Sequence, residues 1–431
     1  MSDAASELSA PVQAAPNASP ARIFWVTWLG WMLDGFDATI YLFVLAPAVT
    51  ELMTRNHMAA TKAGVALYGG YFLSIFMLGW ACSIFWGWLA DRVGRVRVMS
   101  FTILVYSIFT GLGGLATGLV LFGCSRFLAG FGVGGEWAAG TTLLQESVPE
   151  AMRVRLAGWL HTATPAGGLL AALVSLLYPL LGWRGLFLIG TLPALLTIYL
   201  RRNIPEPEKW RRQRTQIQAP RPGLLFRRPQ ARATWTAALM LSCAIFGLWS
   251  SSYWAPTFIV SKIAEEGGTP DRGQLLASLS GLMANGGTML ACLLAPWITF
   301  RFASRRRTGA AFFLGAFAMA ALTYGYAARI ANQVGLFIAL LPLLAFFTNG
   351  VFALYSIWLP ELFPSTHRAF GSGFAFSLGR VLGAAGPATV GALVGITGSY
   401  PTAILTTSAI YLVGLPFVVL APETANQPLP E

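Results

Sequence analysis

Charged side chains are scarce in this chain, at 11% of its residues, against about 25% in ordinary soluble domains. So little polar surface cannot cover a water-soluble body of 431 residues. Cysteine occurs four times and histidine three. Cys82, Cys124, Cys243 and Cys292 each stand alone in an apolar run, without a CxxC pair, so neither a disulfide framework nor a metal site is indicated. A GxSxG elbow, a His-rich cluster and a phosphate-cradling loop are also missing, which argues against an enzyme and leaves no cofactor to expect. The Ala-, Ser- and Pro-rich start lacks the basic segment and cleavage site of a secretory signal, and residues 1–22 read as a disordered cytoplasmic tail.

Apolar runs, by contrast, are abundant. Hydrophobic residues make up 55% of the chain, and stretches of the roughly 17–25 residues that cross a bilayer recur at 23–48, 65–89, 97–117, 119–145, 153–180, 184–202, 233–260, 273–300, 308–328, 333–359, 368–395 and 400–421. These predict an all-α membrane protein of twelve transmembrane helices. The net charge of +12 would point to nucleic acid in a soluble protein. Here 21 of the 29 basic residues fall in loops on one side of the expected spans, from Arg22 through Arg301 to Arg368. That bias marks the cytoplasmic side, so both termini are expected inside, with the lipid bilayer as partner and no nucleic acid.

Residues 203–232 hold five prolines and, with Arg201 and Arg202, ten basic residues. They read as a basic cytoplasmic linker between six-helix bundles at 23–202 and 233–421, ahead of a tail at 422–431. Internal repetition supports two bundles independently. Glu146-Ser-Val-Pro149-Glu-Ala-Met-Arg153 and Glu361-Leu-Phe-Pro364-Ser-Thr-His-Arg368 share the form ExxPxxxR at an offset of 215, and Ala46-Pro47 recurs as Ala255-Pro256 at 209. A parallel repeat places a substrate near mid-membrane between bundles that rock to give alternating access.

The loop after the second span, Gly87-Trp-Leu-Ala-Asp91-Arg92-Val-Gly94-Arg95-Val-Arg97, resembles the GxxxDRxGRxR signature of the major facilitator superfamily. The resemblance implies twelve helices in two bundles and a gating role for Gly87, Asp91, Arg92, Gly94 and Arg95. The corresponding stretch Arg301 to Arg307 keeps its basic residues without the Asp and Gly, which predicts a weaker latch there. Asp34-Gly-Phe-Asp37 and Arg126-Phe-Leu-Ala-Gly-Phe-Gly-Val-Gly-Gly-Glu136-Trp137 resemble the sialic acid and lactate proton symporters. The first of these segments is also similar to the aromatic acid proton symporters. The substrate implied is a small organic anion.

Ionisable groups at mid-membrane need a partner or a wet cavity. Asp34 and Asp37, an i,i+3 pair near the middle of span one, are proton-coupling candidates, because repulsion between close carboxylates favours keeping a proton on one; the alternative is a permanent pair with an arginine. Glu136 either carries a proton or holds Arg126 or a neighbouring helix. His161 either relays a proton or packs. Arg380, midway along span eleven, is suited to a substrate carboxylate, unless it pairs with Glu361. Arg126 in the outer part of span four is either a second anion contact or a structural partner. Asn285, Asn349, Trp249, Tyr253, Trp254 and Tyr355 are cavity-lining candidates or packing residues. Glu146 with Arg153, and Glu361 with Arg368, read as gating latches at helix ends.

These residues together predict proton-coupled symport of a small organic anion, a monocarboxylate or acidic sugar, by a monomer in a bacterial inner (plasma) membrane. The alternative is proton-driven export of cationic or amphipathic compounds.

Overall fold

The computed structural model describes residues 19–148, 158–193, 204–206, 222–227, 230–330, 333–364 and 368–425, with residues 152, 156, 195, 196, 199 and 427 besides. The expected tail at 1–22 lies almost wholly outside them, as does most of the linker. The described residues form helices and no strands.

Ten helices are long and apolar enough to cross a membrane. They coincide with ten of the twelve expected spans. For the fifth and sixth the described helices are only Ala163–Ser175 and Tyr178–Ile189, the second turning at Gly182 with φ 61°. The helices begin where sequence chemistry starts them. Ser19, Thr61, Thr269 and Ser304 accept from the backbone N–H three residues on, and Pro20 and Pro270 stand in the first turn. Large apolar side chains stay exposed on the outside, among them Val120 and Ile396 at 81% and Phe300 at 75%. A water-soluble fold would bury them, while a bilayer solvates them.

We number the helices α1 (Pro20–Arg55), α2 (Lys62–Ala81), α3 (Ser83–Val93), α4 (Arg95–Gly114), α5 (Leu119–Ser147), α6 (Ala163–Ser175), α7 (Tyr178–Ile189), α8 (Gln230–Ser250), α9 (Ala255–Glu265), α10 (Pro270–Phe302), α11 (Arg305–Ala320), α12 (Val334–Glu361), α13 (Arg368–Gly383), α14 (Ala385–Thr397), α15 (Tyr400–Ser408) and α16 (Ile410–Leu420). Four spans are interrupted inside the bundle: the second at Cys82, the seventh at Ser251–Trp254, the eleventh at Ala384 and the twelfth at Ala409. Tyr324 repairs the seventh by donating its hydroxyl to the Ser251 carbonyl at 2.9 Å. The second and fourth spans approach closely through Gly79 and Gly130, where a side chain on either would strike the other's backbone.

The N-terminal helices (α1–α7) meet the C-terminal helices (α8–α16) most closely at the end carrying the α1–α2 turn. There Lys62 Nζ pairs with Glu265 at 2.7 Å and lies 5.7 Å from the Tyr400 ring centre. Ser175 and Ser278 share a hydrogen bond of 2.7 Å, and Gln274 donates to the Phe43 carbonyl at 3.2 Å. Gly70 packs on the Pro387 backbone and Gly391 on that of Ala66. This end is closed.

The same end shows the repeat in three dimensions. Arg184 donates to the carbonyls of Gly114 and Ala116 and pairs with Glu51. Lys262 donates to those of Ala328 and Ile330 and pairs with Glu266. Ala328 and Ile330 follow Gly114 and Ala116 at a common offset of 214, so a cation closes the frayed end of the third span of each set.

Candidate functional site

The buried charges fall into two cells that share α1. Asp37 is fully buried beside Gly190 and faces Arg126 electrostatically. Arg126, also fully buried, donates to Thr110 Oγ1 at 3.3 Å and stacks 4.6 Å from the Phe187 ring centre, with Tyr41 and Phe122 on its other sides at 5.7 Å. This cell lies wholly among the N-terminal helices. Both Asp37 oxygens, the Tyr41 hydroxyl and Arg126 Nε lack a hydrogen-bond partner, and such groups call for water, a proton or a ligand when buried.

The second cell spans the two sets. Asp34 faces Glu136 and Arg380 electrostatically. Glu136 is fully buried with both oxygens unpartnered, and its carboxylate occupies the notch that Gly30 leaves by having no side chain. Arg380, 6% exposed, reaches from α13 across to α2 and α3. It donates to Ser83 Oγ at 3.1 Å, and its guanidinium lies 4.7 Å from the Trp80 ring centre and 5.4 Å from that of Phe376. Ser83 also touches Ser377 at 3.3 Å. An aromatic wall extends from Trp80 through Trp249, 6.2 Å away, to Tyr253, another 4.6 Å on. A guanidinium flanked by ring faces and hydroxyls, with a carboxylate opposite, can exchange the carboxylate's field for that of a bound anion.

Asp34 and Asp37 interact as their spacing predicts, yet each has its own arginine. The Arg380–Glu361 pairing weighed as an alternative does not form; Glu361 binds Arg305 through two hydrogen bonds of 2.9 and 3.0 Å. His161 packs edge-on to Trp31, ring centres 5.5 Å apart. Asn285 packs on Gly168 where the sets meet and donates to its own helix at Gly281. Asn349 donates to Thr348. The Tyr355 hydroxyl is spent on the Met240 carbonyl at 3.4 Å inside the C-terminal core, and Trp254 is buried against Tyr400. Neither Tyr355 nor Trp254 joins the aromatic wall.

At the ends opposite the closed one, Asp91 pairs with Arg95, and Arg92 lies on the Trp88 ring at 4.1 Å. Gly94 turns the chain at φ 127°. Glu206 then accepts from the backbone N–H of Arg95, Val96 and Arg97 at 2.7–3.2 Å, a carboxylate on a helix N-terminus. Glu423 does the same for α11, accepting from Ser304 Oγ and from the N–H of Arg305 and Arg306, while Thr424 donates to Glu361. Loss of the Asp and Gly has therefore not dissolved the second cluster: Ser304 caps in place of Gly94, and Arg305 turns to Glu361. The carboxylates were missed, although Pro205-Glu206 and Pro422-Glu423 repeat at an offset of 217, close to the 215 of ExxPxxxR. The side chains of Glu146, Arg153 and Arg368 lie outside the described residues, and nothing within 4 Å fills the space at Gly87.

Residues 27–328 match the model of the major facilitator superfamily. The chain belongs to the major facilitator superfamily. It is 29% identical to the niacin transporter NiaP of Acinetobacter baylyi, over 94% of this chain and 95% of that protein. It is 26% identical to the sialic acid transporter NanX of Escherichia coli, over 86% of each. Among solved structures the D-xylose–proton symporter superposes with a TM-score of 0.70 at 19% identity, covering 94% of this chain and 99% of that one. The chain is a multi-pass membrane transporter, not an enzyme.

Proposed function

We propose that this transporter imports a small organic anion together with protons, through two six-helix bundles that alternate about the Arg380 cell. The observation that carries the reading is Arg380 itself: a cation of the C-terminal helices buried against Ser83 and Trp80 of the N-terminal helices, facing Asp34. A substrate carboxylate on Arg380 releases Asp34 from its countercharge, and Asp34 or Glu136 then takes up a proton. Binding of anion and proton are thereby linked through one electrostatic field. Asp37 and Arg126 form the second coupling cell, in which Arg126 holds the ionised acid and a proton on Asp37 frees it.

The aromatic wall of Trp80, Trp249 and Tyr253 favours a flat acid, as the niacin relative's name also does. The clustering of basic loops supports both termini inside, with the closed end outside, in a bacterial inner membrane. A single chain supplies both cells, which is consistent with a monomer. The test is uptake of radiolabelled nicotinate, sialic acid and lactate into proteoliposomes under an inward proton gradient. Gradient-driven uptake of one acid, absent in Arg380→Ala, supports the reading. Failure of every acid with outward movement of cationic dyes instead would replace it with the exporter reading, in which the three acids bind the substrate.

A further inference from the structure

A cleft of about 600 Å³ opens at the end of spans two and three, apart from both charge cells, lined by Leu89, Val93, Val98, Phe101, Arg97 and Glu206. Val93 and Phe101 are 39% and 51% exposed, so its apolar wall is open. Among the described residues the guanidinium of Arg97 makes no hydrogen bond or ion pair, since only its backbone N–H is engaged, by Glu206. Arg92, one step around α3, lies flat on the exposed Trp88 ring and has no carboxylate partner among the described residues. The acids nearby are occupied: Asp91 by Arg95, and Glu206 by three backbone N–H groups. What remains is an apolar slot with Arg97 in its lining and Arg92 next to its lining residue Val93 in the chain, neither guanidinium paired with a carboxylate among the described residues, at the level where α3 ends and the chain turns.

We propose that this cleft binds an anionic glycerophospholipid, with an acyl chain against Val93, Val98 and Phe101 and the phosphate on Arg97 and Arg92. A slot of this volume takes part of an acyl chain, and basic residues at the membrane boundary select anionic headgroups. The site shares Arg97 and Glu206 with the N-terminal latch, so an occupied cleft stabilises the helix-capping geometry of that latch.

The test is native mass spectrometry of the full-length carrier titrated with dioleoyl phosphatidylglycerol or dioleoyl phosphatidylcholine, with thermal midpoints confirming that each variant is folded. The wild type is expected to prefer phosphatidylglycerol, and each arginine to contribute about fivefold at low salt. Arg97→Gln should reduce the preference by that factor, and Arg92→Gln with Arg97→Gln should abolish it. Val93→Trp, which fills the slot, should weaken both lipids. The proposal is overturned if the double variant keeps the wild-type preference or if Val93→Trp binds both lipids normally. Competition by millimolar inorganic phosphate as effective as that of the lipid would also overturn it, since the site would then be one for a free anion.

Discussion

Lys62 and Glu265 pair only when the α1–α2 turn and the end of α9 are together, so breaking the pair should shift the carrier toward the state open at that end. The magnitude follows from exposure. The two side chains are 37% and 55% exposed, and a pair so wetted contributes about 0.2–1 kcal/mol. The Lys62 ammonium over Tyr400 adds about 0.5–1 kcal/mol. Lys62→Met removes both, roughly 0.7–2 kcal/mol, which changes the closed-to-open ratio about three- to thirtyfold. Glu265→Gln removes only the ion pair, so its shift should be about 1.4- to fivefold. Raising salt to about 1 M, where the screening length falls to roughly 3 Å, should reproduce the Glu265→Gln shift in the wild type and add nothing to Lys62→Met. Double electron–electron resonance between spin labels at exposed Ala60 and Asp271 reads both populations in nanodiscs. Unchanged distance distributions in Lys62→Met would refute the reasoning and leave the serine, glutamine and glycine contacts as the whole of the closure.

Replacing Arg380 tests the anion contact. A guanidinium holding a carboxylate by two charge-assisted hydrogen bonds contributes about 3 kcal/mol or more, so Arg380→Ala should weaken competition by the transported acid about 100-fold or more. Arg380→Lys, which keeps the charge but not the fork, should fall between. Arg184→Met strips the carbonyls of Gly114 and Ala116 and the Glu51 carboxylate of a shared donor. It should cost on the order of 2–4 kcal/mol, seen as a lower thermal midpoint in detergent with transport specificity unchanged. Burial alone would raise the Glu423 carboxyl, but hydrogen bonds from Ser304 and from the N–H of Arg305 and Arg306 hold it below its ordinary value of 4.5. A depressed folded value means that its stabilisation is fully present above pH 4.5 and is lost as pH falls through the folded value. Glu423→Gln should therefore lower the thermal midpoint at pH 7 and flatten its acid-side decline.

Much of this architecture was legible because a bilayer leaves few choices. Apolar runs of fixed length give ten of the spans directly, the Gly87–Arg97 loop reports the superfamily, and the scarcity of buried charge singled out Asp34, Asp37, Arg126, Glu136 and Arg380. What was not legible is who meets whom across long sequence separations. Arg380 takes Ser83 and Trp80, 297 and 300 positions away, where no local pattern points. Glu361 takes two hydrogen bonds from Arg305, 56 positions away. Asp34 and Asp37, read as one unit by their spacing, do interact, yet Asp34 faces Arg380 of the C-terminal helices while Asp37 faces Arg126 of the N-terminal ones. Lys62 and Glu265 sit in unremarkable loop-end positions and acquire meaning only when the two sets of helices close on each other.

Direct observation of co-transported protons tests the central claim most closely. Proteoliposomes loaded with a pH-sensitive dye, without an imposed gradient, receive the transported acid as its impermeant anion. The account predicts internal acidification that tracks uptake in the wild type. It also predicts that Asp37→Asn exchanges labelled for unlabelled acid normally while moving no net protons. Uptake with no pH change, or net proton movement surviving in both Asp34→Asn and Asp37→Asn, would contradict coupling through these cells.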